Sequence, residues 1–433
     1  MTTALTHRSA TAVPPRTGAL RRVGQLRQSS PGRLQLIRAA LVTLAVLTGL
    51  IAGLTAASAT AGTSDLRDRA QPLLVEAETI YSALADADTT AAQAFLAGGL
   101  EPVRLTERYE ADLARATTSL ASAARLTPEG SAASRAVEAL ATGTTRYAAL
   151  VATARAVNRQ GLPVGASYLA TASQLNRETL QPEAKALFQL ARKEVDSGYS
   201  AARSSWWLML LLTVFVLLTI MLIWSQLYLS RTTNRTFNVP LVAATGLAAL
   251  LMLTSGFVFS GQRDMLSTAD QDGSAPVAAL AESRILLLRE RADEALTLAA
   301  RAGNGPHEKD FQATREQLTF DDESLDGFEW NLREIREQHQ VYLDLHEKVR
   351  ELDDGGDYDG AVKLAVGEGA TTAFENVLDS VDNLLDDRKH TFDEHIREAG
   401  SGLGTLTWLG PLLALAIGVL AVFGLRARLE EYR

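Results

Sequence analysis

The 433-residue chain has no cysteine, which removes disulfide frameworks, thiolate metal sites, iron–sulfur clusters and cysteine nucleophiles at once. An oxidising, extracytoplasmic setting stays open. Aromatic residues are scarce at 6%, and the motifs of nucleotide chemistry are missing. No glycine-rich loop ends in Lys-Ser/Thr, no Gly-x-Ser-x-Gly elbow occurs, and no His-Glu-x-x-His pair lies on a helix. Strand patterns are lacking too, since Val, Ile and Thr never alternate with polar residues over a useful length. Charge itself is absent from four long stretches, although charged residues make up 21% of the chain and the net charge is −9.

Those charge-free stretches are residues 39–64, 204–230, 236–262 and 399–425. About 20 apolar residues at 1.5 Å rise cross a ~30 Å hydrocarbon core, so each is long enough to span a membrane. Trp206, Trp207, Trp224, Tyr228 and Trp408 stand near their edges, where interfacial rings belong. Residues 1–38 carry Arg8, Arg16, Arg21, Arg22, Arg27, Arg33 and Arg38 with no acid, and the connector between the second and third spans holds Arg231 and Arg235. With Arg426, Arg428 and Arg433 at the C-terminal end, the positive-inside rule places both termini in the cytoplasm of a multi-pass plasma-membrane protein.

The expected order is a disordered arginine-rich tail (1–38), a first span (39–61), an extracytoplasmic helical bundle (62–205) and a second span (206–228). A short cytoplasmic connector (229–237), a third span (238–260), a second, acidic bundle (261–405), a fourth span (406–425) and a cytoplasmic tail (426–433) follow. Ala57-Ser58-Ala59 resembles a signal-peptidase site, but the apolar run before it exceeds the usual 7 to 15 residues, so an uncleaved span is expected.

The two large segments repeat one another. At an offset of 204, Pro72, Ala77, Glu78, Ala91 and Gly99 fall on Pro276, Ala281, Glu282, Ala295 and Gly303. At an offset of 195, Tyr147, Gly165, Ala166 and Leu169 fall on Tyr342, Gly360, Ala361 and Leu364. Leu66, Leu73, Ile80, Ala87 and Ala94 recur every seven residues with Ala77, Leu84 and Ala91 between them, and Phe374, Leu378, Val381, Leu385, Phe392 and Ile396 form a similar seam. Breaks are expected at Gly98-Gly99, Thr127-Pro128, Gly161-Leu162-Pro163, Gly303-Asn304-Gly305-Pro306 and Gly355-Gly356. A segment with both ends in the membrane holds an even number of antiparallel rods. The fold class is therefore an all-α membrane protein, with four transmembrane helices and two duplicated extracytoplasmic four-helix bundles.

Candidate chemistry is thin. The repeat residues Tyr147, Tyr342, Gly165 and Gly360 read as structural. His339 and His346, seven apart, read as solvated bundle surface. Asp353-Asp354-Gly355-Gly356-Asp357-Tyr358-Asp359-Gly360 fails the EF-hand register, because Gly355 and Val366 would take the first and last ligand positions, so an acidic turn is expected. No catalytic residue, cofactor or metal is expected. The spans contain no ionisable group, which disfavours a coupled transporter, and the spacing of Gly49, Gly53, Gly400, Gly404, Gly410 and Ala414 suits close helix packing. The arginine tail can lie on anionic lipid at ~1 kcal/mol per residue, or dock an acidic cytoplasmic partner, with Ser29 and Ser30 between Arg27 and Arg33 as candidate phosphorylation positions. Arg21, Arg22, Arg231, Arg235, Arg426 and Arg428 are the candidate contacts for a cytoplasmic partner. Nucleic acid is not expected, because the positive-inside rule already accounts for the arginines.

The arginine-rich tail, two helical halves of similar length, the Arg231 to Arg235 connector and the short Arg426 to Arg433 tail resemble the GlnX-like family of four-span membrane proteins of high-GC Gram-positive bacteria. That resemblance implies a relay of glutamate- or aspartate-type availability from a solute-binding lipoprotein to a soluble serine/threonine protein kinase G. The expected function is a non-enzymatic transmembrane relay, with the lipid bilayer, that lipoprotein, that kinase and a homo-oligomer as partners. The competing reading is an envelope scaffold through which no signal passes, with a transporter component behind it.

Overall fold

The computed structural model describes residues 30–97, 101–203, 205–233, 238–301, 303 and 305–429, and among these every regular element is a helix. In chain order they are α1 (Ser30–Asp65), α2 (Gln71–Leu96), α3 (Val103–Leu126), α4 (Ala132–Arg159), α5 (Val164–Leu175), α6 (Gln181–Ala202) and α7 (Ser205–Thr233). Then come α8 (Val239–Thr268), α9 (Ala275–Ala300), α10 (Pro306–Gln317), α11 (Glu329–Asp354), α12 (Tyr358–Ala365), α13 (Glu368–Ala399) and α14 (Leu403–Leu429). The protein is an all-α membrane protein. Four helical stretches, Gly32–Leu96, Val164–Arg231, Val239–Ala300 and Tyr358–Arg426, are long and apolar enough to cross a bilayer.

Three π-turns, Leu66–Ala70, Asn176–Leu180 and Ala269–Ser274, interrupt those stretches. One sequence feature accounts for all three. Pro72, Pro182 and Pro276 follow two residues after each turn and lack the N–H that would bond the carbonyl four residues back, at Asp68, Glu178 and Asp272. Each of those orphan carbonyls lies inside a π-turn, where the helix widens by one residue. The first and third turns occupy equivalent positions in the repeat.

The contacts divide into two compact units. The membrane unit comprises the described parts of Met1–Ser58, Ser204–Phe259 and Gly402–Arg433. There α1 and α14 pack on small residues: a Cβ on Gly49 would meet Ala414 at 2.8 Å, one on Gly53 would meet Pro411 at 3.1 Å, and one on Gly410 would meet Ala52 at 3.3 Å. Gln226 donates to the Leu241 carbonyl (3.0 Å) and to Thr245 Oγ1 (2.7 Å), and Asn238 Nδ2 donates to the Gly424 carbonyl (2.8 Å). Leu50, Trp206, Leu253, Phe257 and Trp408 are exposed, as expected of side chains that face lipid.

The polar unit comprises Ala59–Arg203 and Ser260–Ser401. Each half follows a four-rod plan: α2, α3, α4 and α5–α6 in the first, α9, α10, α11 and α12–α13 in the second. The expected seams are buried throughout, from Leu66 to Ala94 and from Phe374 to Ile396. In the second half the second rod shortens to α10 and passes into a loop with a 3₁₀ turn at Glu323–Leu325, and α12 is separated from α13 at Val366 and Gly367. The expected breaks at Thr127-Pro128, Gly161 to Pro163 and Gly355-Gly356 are interhelical turns. Gly98, Gly99 and Asn304 lie outside the described residues.

The halves pack against each other along α2 and α9 and share one apolar cluster. Every residue from Tyr81 to Ala92 and from Glu290 to Leu298 is buried, so both helices are enclosed on all sides. The reciprocity of the repeat appears in two ion pairs. Glu78 takes the ammonium of Lys389 from α13 at 2.7 Å, and its repeat equivalent Glu282 takes that of Lys185 from α6 at 2.6 Å. Each half thus reaches across from its last helix to the first helix of the other, the isologous contact of a two-fold pair built into one chain.

Candidate functional site

The joint between the halves is not a simple apolar seam. From α2 come Asp86, Asp88, Thr89 and Thr90, and from α9 come Arg284, Glu290, Arg291, Asp293 and Glu294, all buried. Arg284 lies 3.0 Å from Asp86 and also pairs with Asp382 of α13. Asp86 is shared with Arg115, which bonds Asp112 at 3.1 Å. Arg177, from the π-turn before α6, bridges the halves by pairing with Asp88 (3.7 Å) and with Asp293. Thr89 Oγ1 adds a cross-joint hydrogen bond to the Leu288 carbonyl, at 2.9 Å.

Each half also has its own polar interior. In the first, Asp88 accepts from Tyr147 (3.3 Å) and Ser173 (2.7 Å), while Asn176 Nδ2 donates to the Leu84 carbonyl. In the second, His339 Nε2 is 2.7 Å from Glu290, and His346 Nδ1 is 2.8 Å from Glu294 with its Nε2 3.5 Å from Glu308. Phe311 stacks on His346 with centroids 3.7 Å apart, and the Arg291 guanidinium lies over Tyr342 and Phe374. The solvated-surface reading of His339 and His346 is therefore corrected, since they are only 7% and 4% exposed. Their seven-residue spacing does put them on one face of α11, but that face meets glutamates of α9 and α10 rather than water.

Burial and charge compete at these groups. For His346, burial would lower the pKa, but hydrogen bonds to Glu294 and Glu308 and the charges of both outweigh it and raise it to about 9. Burial pushes the Asp112 carboxyl up to about 7, with the Asp86 charge acting in the same direction. Burial also raises Asp293 to about 6, only partly offset by Arg177. At Glu294 burial would raise the pKa, but Arg291 and His346 prevail and hold it below the ordinary value.

The residues singled out from the sequence have diverse positions. Tyr147 and Tyr342 are both fully buried at the centres of their halves. Gly165 and Gly360 both fall in the first turn of a short helix. A Cβ on Gly165 would lie 3.2 Å from the Asn158 nitrogen, and Gly360 N donates to Asp357 Oδ1 at 3.0 Å, capping α12. Asp353 and Asp354 pair with Arg350, so the acidic stretch serves as a turn and caps. Arg231 is exposed at the end of α7, Arg426 is exposed near the end of α14, and Arg428 lies in α14. Arg21, Arg22 and Arg235 lie outside the described residues. The buried network at the joint was missed because Asp86, Asp88, Glu290, Asp293 and Glu294 look like solvent-facing charges in an alternating pattern. The readable signal was that their seams have apolar residues on every side.

Comparison with known proteins gives one match. Residues 62–200 match the family model of the actinobacterial sensor domain. The matched stretch takes in α2 through most of α6, about a third of the chain, so the first half of the polar unit is similar to that sensor domain; together with the four apolar stretches this fits a membrane protein with a sensing role. No curated protein and no solved structure matches the chain.

Proposed function

We propose that the protein is a non-enzymatic transmembrane relay in which the polar unit lies outside the cell and the arginine-bearing connector and tails lie in the cytoplasm. It binds a solute-binding lipoprotein loaded with a glutamate- or aspartate-type amino acid, and it passes the change to a cytoplasmic serine/threonine kinase. The observation that carries this reading is the choice of partners at the joint. Arg284 has Asp86 and Asp382 within reach, Arg115 has Asp86 and Asp112, and Arg177 has Asp88 and Asp293. Removing a partner from a buried charge is costly, but exchanging one carboxylate for another is not. A joint built this way supports two packings of similar energy, and an outside partner shifts their balance by its differential affinity, ~1.4 kcal/mol per tenfold. The sensor-domain match at 62–200 supports the sensing part of this reading.

The test is a deletion of residues 1–35 combined with crosslinking and mass spectrometry in intact cells. A relay keeps its crosslinks to a solute-binding lipoprotein and loses those to a soluble kinase, together with kinase output. If kinase output and all crosslinks persist unchanged, the scaffold reading replaces the relay.

A further inference from the structure

At one edge of the joint, three potential metal ligands meet that the sequence keeps apart. His307 and Asp310 are three residues apart in the first turns of α10 and so share one face of it. Asp293 faces them from α9. One ligand atom from each of the three lies within 4.8 Å of those of the others. Asp293 is fully buried, and Arg177 holds its Oδ1. Its Oδ2 is buried without a hydrogen-bond partner, and so is His307 Nδ1, which lies 3.8 Å from Asp293 Oδ1. A buried carboxylate oxygen and a buried imidazole nitrogen, both unpartnered and close together, call for a group that accepts electron pairs from both.

We propose that Asp293, His307 and Asp310 bind a first-row divalent cation, of the Zn²⁺ or Mn²⁺ type, at the joint between the two halves. One imidazole nitrogen with two carboxylates is a borderline donor set that suits these ions better than an all-oxygen Ca²⁺ or Mg²⁺ shell. The local charges agree. Asp88, Asp293 and Asp310 face Arg177 and Arg289, so three carboxylates meet two guanidinium groups and a cation relieves the repulsion that remains. Arg177 occupies one oxygen of Asp293 and leaves the other for the ion, orienting the carboxylate as an outer partner does in metal sites. Occupancy would fasten the first turns of α10 to α9 and steady the Asp293 side of the Arg177 bridge. The sensor joint would then have a tight and a loose form according to metal supply.

The test uses the full chain in nanodiscs, stripped with a chelator and titrated with ZnCl₂ and with MnCl₂ by calorimetry. One ion per chain is expected, and His307→Ala and Asp310→Asn should each weaken binding by about 10-fold or more. At the same free Zn²⁺ concentration, the rise in melting temperature should be larger for the wild type than for D310N. Substituting Co²⁺ should give a visible absorption band that H307A abolishes. His307 is half-buried and Asp310 exposed, so both variants should retain the wild-type circular dichroism spectrum. The proposal is overturned if the wild type takes up neither ion, or if either variant binds like the wild type.

Discussion

His346 links a single residue to stability. Its folded pKa of about 9 lies above the ~6.5 of an unfolded histidine, so the stability it contributes is fully present below pH ~6.5 and is lost as pH rises through 9. The melting temperature of the protein should fall over that window. His346→Gln should flatten this part of the profile and cost about 1–3 kcal/mol at pH 6.5, as read from unfolding curves. Asp112, at about 7 against ~3.9 unfolded, has the same sign at lower pH, its contribution being lost as pH rises through 7. Lys389 gives a second residue-scale prediction. Glu78 is 2% exposed, so Lys389→Met leaves a buried carboxylate unpaired and should destabilise by ~2 kcal/mol or more. The repeat-related pair Lys185–Glu282 has side chains 42% and 56% exposed, and Lys185→Met should cost at most ~1 kcal/mol. A measured cost that is equal for both would contradict the burial argument.

Among the elements, the first and third π-turns pack closely on the last helix of their own half, and the two halves do it in opposite senses. In the first half Leu66 of the turn packs into the space left by Gly198 of α6. In the second, Gly273 of the turn lies under Phe392 of α13. A Cβ on Gly273 would stand 2.9 Å from the Phe392 Cα, which is backbone and cannot move aside. Gly273→Leu should therefore cost about 1–3 kcal/mol through overpacking, while Gly261→Ala in α8, where nothing lies within 4 Å, should be neutral or slightly stabilising. Thermal unfolding of the two variants side by side measures the difference. These turns were only partly legible from the chain: Pro72, Pro182 and Pro276 are plain in the sequence, but Pro411 sits inside α14 without a π-turn, so a proline alone does not announce one. Whether a glycine or a large side chain fills the contact was not legible, because Gly198 and Gly273 gain their meaning only from the helix that faces them.

At the scale of the whole molecule, the absence of cysteine makes topology directly measurable. Thr142→Cys in α4 and Ala313→Cys in α10 place single thiols at exposed positions, one in each half. Both should react with a membrane-impermeant maleimide added to intact cells, and protection of either until the cells are permeabilised would refute the proposed orientation. The reciprocal pairing of Glu78 with Lys389 and of Glu282 with Lys185 gives the duplication its physical sense. Tyr81–Ala92 of α2 and Glu290–Leu298 of α9 are buried throughout because each half covers the first helix of the other.

The sequence by itself determined the helical class, the four spans, the repeat and the seams. Each follows from a periodicity or an absence of charge that local chain geometry imposes regardless of the partner. Only the tertiary structure decided that the halves share one core, that His339 and His346 are buried against Glu290 and Glu294, and that Asp293 meets His307 and Asp310. Those outcomes depend on which helix faces which, and a charge on a helix becomes a surface residue or a buried ion only when a neighbour removes its water.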